Sequence, residues 1–216
     1  MASVKKMTHA AVRNLLRHHD REIQNNSNKD IDKARSGANY ELMNRGMHSW
    51  DYYQQRKSEL HCYKREDVKT MCEWVVTAPQ NMPVQYQRQF FEKTVDFLNE
   101  RYGTDNCIRA TVHMDEAQAH LHYDFIPAVP DLKHGGFKIC ANDILNRSEM
   151  RNFHPQLQKF MDEQGIPGAQ VHTGVTAAQG GNRTVKEMKT ERSREHKFSW
   201  NQYNQEKERV RIEREW

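Results

Sequence analysis

Cysteine is scarce in this chain, and long apolar segments are missing from it. The four cysteines among its 216 residues follow neither the spacing of a metal site nor that of a disulfide framework. Cys72 and Cys107 lie in predicted strands and are expected to be small buried residues. No apolar run approaches the length of a membrane span, and the first residues lack the apolar core of a secretion signal. We therefore expect a protein of the reducing cytoplasm, without a membrane segment.

The chain is poor in apolar residues as a whole. Hydrophobic residues make up 36% and charged residues 29%, and the mean hydropathy is -1.04. So polar a composition predicts that part of the chain is solvated, extended or bound to a partner. We predict one folded domain over residues 1–170, a linker over 171–183 and a charged helical extension over 184–216. The formal net charge of +4 favours a polyanionic partner only weakly.

Three histidines and two carboxylates lie within residues 113–122. The segments 107–113 and 120–126 alternate polar and apolar side chains, which predicts two strands of an antiparallel hairpin. One predicted face carries the apolar residues Ile108, Ala110, Val112, Leu121, Tyr123 and Phe125. The other carries the polar residues Arg109, Thr111, His113, His120, His122 and Asp124. Because neutral imidazole is a common metal ligand, three histidines on one face predict a divalent metal site.

A single histidine in a strand is usually an ordinary polar residue, so the prediction depends on the three together. A closed structural zinc site would need a fourth protein ligand, often a thiolate, and no cysteine lies at ligand spacing. A site formed by His113, His120 and His122 therefore has open coordination positions. Such positions suit the polarisation of a phosphate or carbonyl oxygen.

Apolar periodicity predicts the surrounding elements. Thr8 is a predicted N-cap for a helix from His9 to about Gln24, whose apolar stripe includes His19 and leaves His18 outside. Helical character is moderate over residues 40–60. The other predicted elements are strands over 2–7, 71–78 and 137–140 and helices over 84–102 and 148–164. We expect an α+β fold with an antiparallel sheet, helices on one face and the metal site on the other.

Three sequence blocks together resemble those of one family. They are the metal motif His113-x-Asp-Glu-x-x-x-His-x-His122, the pair Ser27-Asn-Lys-Asp30 and Asn39-Tyr-Glu-Leu42, and the short block Cys72-Glu-Trp74. In this order they resemble the Mob/Pre (MobV) plasmid mobilisation relaxases of the HUH endonuclease superfamily. The resemblance implies an enzyme that nicks one DNA strand at an origin of transfer. It implies attachment of the protein to the 5′ phosphate and later rejoining of the strand.

The resemblance also implies a histidine nucleophile. In the family this histidine lies nine residues before the Ser-Asn-Lys-Asp block, which corresponds to His18 here. The family has a single histidine followed by asparagine, an acid and arginine, whereas this chain has His18-His19-Asp20-Arg21. The alternatives left open are His19, Tyr40, Tyr52 and Tyr53.

Two further side chains are candidates for the site. Glu116, in the predicted turn, is expected to orient a metal ligand or a nucleophile proton, ahead of Asp115. Arg21 is expected to clamp phosphate. Three imidazoles favour Zn²⁺, Co²⁺ or Ni²⁺ by affinity, whereas the resemblance implies Mn²⁺ or Mg²⁺.

Partners follow from the same resemblance. They are single-stranded and hairpin DNA at an origin of transfer, in the cytoplasm of a bacterium, with Lys29, Arg35 and Arg45 as candidate DNA contacts. Relatives usually continue into a longer helical region, so we expect the chain to be a piece of a longer protein. The two roles left open for that region are dimerisation and approach to the membrane. Two other functions remain open: a metal-dependent nucleic-acid hydrolase that uses bound water, and a DNA-binding module with a structural metal.

Overall fold

A computed structural model describes residues 1–23, 30–171 and Thr190. The chain divides into two compact units, Met1–Thr173 and Gly174–Trp216. The predicted linker over 171–183 and the predicted extension over 184–216 lie outside the described residues, except for Val171 and Thr190. The side chain of Val171 is buried, so the first unit extends at least to the first residue of the predicted linker.

A five-stranded antiparallel sheet forms the centre of the first unit. Its strands are β1 (Ala2–Thr8), β2 (Tyr40–Met43), β3 (Lys69–Thr77), β4 (Cys107–His113) and β5 (His120–Phe125), in the order β1-β3-β5-β4-β2. The predicted hairpin of β4 and β5 is confirmed, with His113 opposite His120. Because β5 is the central strand, its histidines have a neighbouring strand on each side. A second hairpin, β6 (Ala128–Pro130) and β7 (Phe137–Ile139), follows β5.

Helices pack on both faces of the sheet. They are α1 (His9–His19), α2 (Ser49–Ser58), α3 (Val84–Tyr102), α4 (Ala141–Ile144) and α5 (Arg147–Gln164), with short 3-10 helices at Lys33–Ala38 and Thr104–Asn106. Apolar residues of α3 and α5 cover one face, where the rings of Trp74 and Phe153 stack at 3.6 Å between centroids. The predicted α+β class is confirmed. On the opposite face α1 and α2 form a second apolar cluster with Met71 and Ile108, beside the predicted metal site.

Three local predictions were wrong. Helix α1 ends at His19 rather than near residue 24, because Arg21 adopts a left-handed backbone with φ 56° that no helix can continue through. Residues 40–43 form an edge strand paired with β4 rather than part of a helix. Ile108 lies on the opposite face from Ala110, because an irregularity in the register between Cys107 and Arg109 shifts the alternation.

The C-terminus of α5 offers a test of backbone conformation. Gly165 has φ 63° and ψ 31°, and a Cβ atom there would meet no other atom within 4 Å. We expect Gly165→Ala to lower the free energy of unfolding by about 1–2 kcal/mol, the cost of a left-handed L residue. Urea denaturation measures this value. Gly37→Ala is the matched control, because a Cβ atom at Gly37 would also meet no other atom within 4 Å and Gly37 has no positive φ. An equal decrease in the free energy of unfolding in both variants would contradict the backbone argument.

Candidate metal centre

The three predicted histidines converge at one end of the sheet. Each of His113, His120 and His122 offers a ring nitrogen, and these nitrogens all lie within 4.8 Å of one another. His113 is fully buried, while 12% of the His120 side chain and 11% of the His122 side chain remain exposed. The arrangement follows from strand register, since His113 ends β4 directly opposite the first residue of β5.

Each imidazole uses one nitrogen within the protein and keeps the other for a ligand. The Nδ1–H of His122 donates to Oε1 of Glu73 at 2.6 Å. The Nδ1–H of His120 donates to the carbonyl of Gln118 at 2.8 Å, and the Nε2–H of His113 donates to the carbonyl of His19 at 3.1 Å. Bonds of this kind fix the tautomer and orientation of metal-binding histidines.

The second nitrogen of His113 shows that these residues fit a metal ion. Its Nδ1 atom is buried and has no hydrogen-bond partner. A buried polar atom without a partner is unfavourable, and coordination to a cation would remove that cost. Burial lowers the pKa of His113 to about 2, and the nearby imidazole of His122 and guanidinium of Arg21 act in the same direction. The lone pair of His113 therefore stays available for a metal ion at neutral pH.

A buried carboxylate–imidazole network lies directly behind the histidines. His19 is 1% exposed; its Nδ1 lies 2.8 Å from Oδ2 of Asp124 and its Nε2 lies 3.0 Å from Oε1 of Glu73. Burial opposes charge on this imidazole, but Asp124 and Glu73 outweigh it and raise the pKa of His19 to about 9. Burial and the nearby His19 lower the pKa of His122 to about 3. His19 is therefore cationic and enclosed, whereas His122 is neutral.

The end of α1 is anchored to the sheet through three successive side chains. His19 reaches β3 and β5 as described. Asp20 pairs with Arg109 of β4 and accepts a hydrogen bond from Ser49 Oγ at 2.8 Å. Arg21 pairs with the loop between β4 and β5. His18, the predicted nucleophile, precedes these anchors; its side chain is half-buried, and its ring lies 5.9 Å from that of His19.

Asp115 is the most heavily bonded side chain of the β4–β5 loop. It is fully buried and accepts from Arg21 Nη2 at 2.6 Å and Arg21 Nε at 3.0 Å. Ser36 Oγ at 2.7 Å and Asn39 Nδ2 at 2.9 Å also donate to it. Glu116 accepts from Arg21 at 2.9 Å and lies 4.0 Å from Nε2 of His120. The two acids therefore join the end of α1 to the histidine cluster.

The other predicted residues have varied surroundings. Lys29 lies outside the described residues. Arg35 is exposed and donates to the carbonyl of Met114. The guanidinium of Arg45 donates to the carbonyl of Cys107 and lies over the ring of Tyr52 at 4.5 Å. Arg21, the predicted phosphate clamp, is already paired with two carboxylates, so any phosphate would share it with them.

Sequence reasoning missed the roles of Glu73, Asp124 and the imidazole of His19 as bonding partners. Glu73 is 1% exposed within a strand that otherwise buries mainly apolar side chains. A carboxylate in such a strand is rarely buried unless it is paired, and this was the available signal. Its partner could not be identified locally, because His19 and His122 lie far from it in the sequence.

Comparison with known proteins decides the family. The model of the Mob_Pre family, described as plasmid recombination enzyme, matches residues 1–196. This chain belongs to the Mob_Pre family. The resemblance drawn from the three sequence blocks is thus confirmed. Among the residues that the structure describes, no helix is both long and apolar enough to cross a membrane.

Curated Mob_Pre relatives are similar to the chain over most of its length. It is 28% identical over 199 residues to the plasmid recombination enzyme of Streptococcus agalactiae, covering 88% of this chain and 38% of that protein. It is 29% identical over 169 residues to that of Bacillus thuringiensis, covering 76% of this chain and 37% of that protein. The chain thus spans well under half the length of these two relatives.

A solved structure of the same family has the same fold. It is the MobM relaxase domain bound to plasmid pMV158 oriT DNA, in an Mn-bound crystal structure at pH 6.8. The TM-score is 0.72 with 26% sequence identity, and the match covers 88% of this chain and 97% of that one. The sheet and helices described above therefore form the fold of a Mob_Pre relaxase domain.

Proposed function

We propose that this chain contains the DNA-nicking domain of a plasmid mobilisation relaxase, and that residues 1–170, together with the buried Val171, form that domain. The observation that carries the proposal is the attachment of α1 to the histidine cluster. His113 donates to the last carbonyl of α1, that of His19, at 3.1 Å, which holds the end of the helix against the predicted metal ligands. A fixed distance between a nucleophile and a metal is what transesterification at phosphorus requires.

His113, His120 and His122 are the proposed ligands of Mn²⁺ or Mg²⁺. The Mn-bound MobM structures support manganese. When bound, the ion would neutralise oxygens of the scissile phosphate and orient it for attack. Glu73 is a proposed positioning residue for His122, because its carboxylate fixes the ring at 2.6 Å.

His18 is the proposed nucleophile. The lone pair of one ring nitrogen forms a bond to phosphorus while the bond from phosphorus to the 3′ oxygen breaks. The proton on the other ring nitrogen is released, and protonation of the departing oxygen leaves a 3′ hydroxyl. The product is a phosphoramidate on the 5′ end. Attack by the free 3′ hydroxyl on the same phosphorus reverses each of these changes and rejoins the strand.

The alternative nucleophiles have less suitable surroundings. His19 is enclosed between two carboxylates. Tyr53 is fully buried and shares hydrogen bonds with Thr70 and His9. Tyr52 donates to the carbonyl of Asp105 at 2.9 Å, and Tyr40 packs beneath the guanidinium of Arg88 at 4.7 Å. These contacts count against His19 and the three tyrosines as nucleophiles.

The oriT DNA bound by MobM supports single-stranded DNA as the proposed partner. Hairpin DNA, contacts through Arg35 and Arg45, and dimerisation through a further C-terminal region remain parts of the proposal. Arg21 and Glu116 are proposed positioning residues, since they join the helix end to the cluster. Plasmid DNA as substrate makes the bacterial cytoplasm the proposed compartment.

The formation of a covalent adduct tests this function. The protein is incubated with Mn²⁺ and labelled single-stranded oligonucleotides tiled across the DNA that flanks its own gene, then denatured. We expect one oligonucleotide to yield a denaturant-stable protein adduct and a free 3′ fragment. Cleavage without an adduct would indicate a hydrolase that uses bound water. Binding of an oligonucleotide without cleavage and without an adduct would indicate a DNA-binding module. Either outcome would overturn the proposal.

Dependence on metal is a separate prediction. Chelation should stop adduct formation, and Mn²⁺ should restore it. We expect His120→Ala to raise the Mn²⁺ concentration for half-maximal nicking at least roughly tenfold, since it removes a ligand. His154→Ala is the control, because His154 bonds to the carbonyl of Ala2 at 3.1 Å on another part of the protein. An unchanged Mn²⁺ requirement in His120→Ala would contradict the ligand assignment.

A further inference from the structure

A second cluster of metal-binding side chains lies away from the proposed active site. It consists of His61, Asp131 and His134, whose ligand atoms all lie within 4.8 Å of one another. His61 follows α2, and the other two belong to the loop that joins β6 to β7. The proposed ligand His120 is the first residue of β5, whereas the loop from β6 to β7 comes after the last residue of β5. The six residues of β5 span roughly 20 Å. The two clusters are therefore separate.

We propose that His61, Asp131 and His134 form a Zn²⁺ site that fastens the segment after α2 to the β6–β7 hairpin. Two imidazole nitrogens and one carboxylate oxygen are a ligand set that zinc accepts readily. With water in the fourth position, zinc would be tetrahedral. This site is independent of the proposed nicking reaction.

The ligand atoms are close to the positions that zinc requires. Nδ1 of His61 lies 2.8 Å from Oδ2 of Asp131, and Nδ1 of His134 lies 2.9 Å from the same oxygen. Ligands of a tetrahedral zinc ion at bond lengths of about 2.1 Å lie about 3.4 Å apart. The side chains of His61 and His134 are 34% and 42% exposed, so small ring rotations can admit the ion and its water.

The carboxylate is held in place by the backbone of its own loop. Asp131 is 4% exposed. Its Oδ1 accepts from the backbone N–H groups of Lys133 at 3.1 Å and His134 at 3.3 Å. Positive φ angles at Gly135 and Gly136 close this loop. The other oxygen, Oδ2, is left directed at both imidazoles.

His61 is fixed to the same hairpin by its main chain. Its N–H donates to the carbonyl of Phe137 at 3.0 Å, and its carbonyl accepts from Ile139 at 2.9 Å. All three ligands are thus positioned by hydrogen-bonded backbone before any ion binds. A site prepared in this way loses little conformational entropy on binding, which favours affinity.

Zinc stoichiometry of the full chain tests the site. The protein is stripped with a chelator, loaded with Zn²⁺, passed through gel filtration and measured for zinc by mass spectrometry. We expect two ions per wild-type chain and one ion in each of His61→Ala and His134→Ala. His120→Ala should also retain one ion, that of the second site, and His154→Ala should retain two. Stoichiometry in His61→Ala and His134→Ala equal to that of the wild type would overturn the proposal.

Two further variants separate zinc binding from folding. Asp131→Asn keeps an oxygen that can accept from Lys133 and His134 and removes the anionic ligand; we expect its zinc affinity to fall at least tenfold by calorimetric titration. In the His120→Ala background, Zn²⁺ should raise the unfolding temperature. Adding His134→Ala to that background should remove the increase. An equal zinc-dependent increase in both proteins would overturn the proposal, whether or not the chain nicks DNA.

Discussion

His18→Ala is expected to abolish the covalent DNA adduct and to slow nicking by on the order of 10⁶-fold, the scale seen when a nucleophile is removed. The reason is that the position of the His18 side chain is fixed by the residues that follow it. The next three residues are held by β3, β4, β5 and the loop between β4 and β5. They fix the end of α1 and therefore the backbone position of His18. The ring centroid of His18 lies 5.9 Å from that of His19. Quantitative gel analysis of adduct formation measures the loss.

His19→Asn is the matched comparison. It introduces asparagine, the residue that the family resemblance predicts after the nucleophile, and removes the imidazole that links Asp124 to Glu73. We expect the adduct to form still, with activity lowered by roughly 10- to 100-fold, because the support of a metal-binding side chain is weakened. An adduct that survives His18→Ala and disappears in His19→Asn would assign the nucleophile to His19. An adduct that survives both would point to a tyrosine.

Circular dichroism and Mn²⁺ titration of the same variants separate chemistry from folding. His18 is half-buried, whereas His19 is enclosed. Loss of the His18 side chain should therefore leave the unfolding transition and the Mn²⁺ affinity close to those of the wild type. Loss of the His19 side chain should lower both, since it removes a partner of Glu73, which orients His122.

Local sequence patterns were enough to predict the elements that carry the site. Alternation in residues 107–113 and 120–126 predicted the hairpin of β4 and β5 and the common face of the three histidines. Helical spacing and glycine stops predicted α3 up to Gly103 and α5 up to Gly165, both as observed. In each case the signal lies within one element or between two neighbouring elements, where the period of the chain determines which side chains share a face.

Other features depend on contacts between distant residues, and the sequence did not predict them. The four residues of β2 are a strand because they pair with the edge of β4, and tertiary pairing of this kind overrides local propensity. The reversal of Ile108 results from a single irregularity in register. The bonds of His19 to Asp124 and Glu73 join α1 to two strands, so no local pattern contains them.

Asp115→Ala is expected to be the most destabilising change at the site, lowering the free energy of unfolding by about 3 kcal/mol, near the lower end of values for breaking a buried ion pair. The variant leaves Arg21 without its principal partner and leaves the side chains of Ser36 and Asn39 without an acceptor. The lower end applies because Arg21 is 14% exposed and keeps its contact with Glu116. Urea denaturation monitored by circular dichroism measures the loss.

Glu116→Ala tests whether burial and the number of bonds cause this effect. Glu116 accepts from the same Arg21 but is 18% exposed, so its removal should cost about 1 kcal/mol or less. Asp115→Asn should lie between the two alanine variants, because the amide oxygen can still accept one of the hydrogen bonds. Equal losses for Asp115→Ala and Glu116→Ala would show that the charge of Arg21, and not the burial of Asp115, controls stability. The expected order instead makes Asp115 the residue that holds the loop between β4 and β5, and with it the spacing of His113 and His120, against the end of α1.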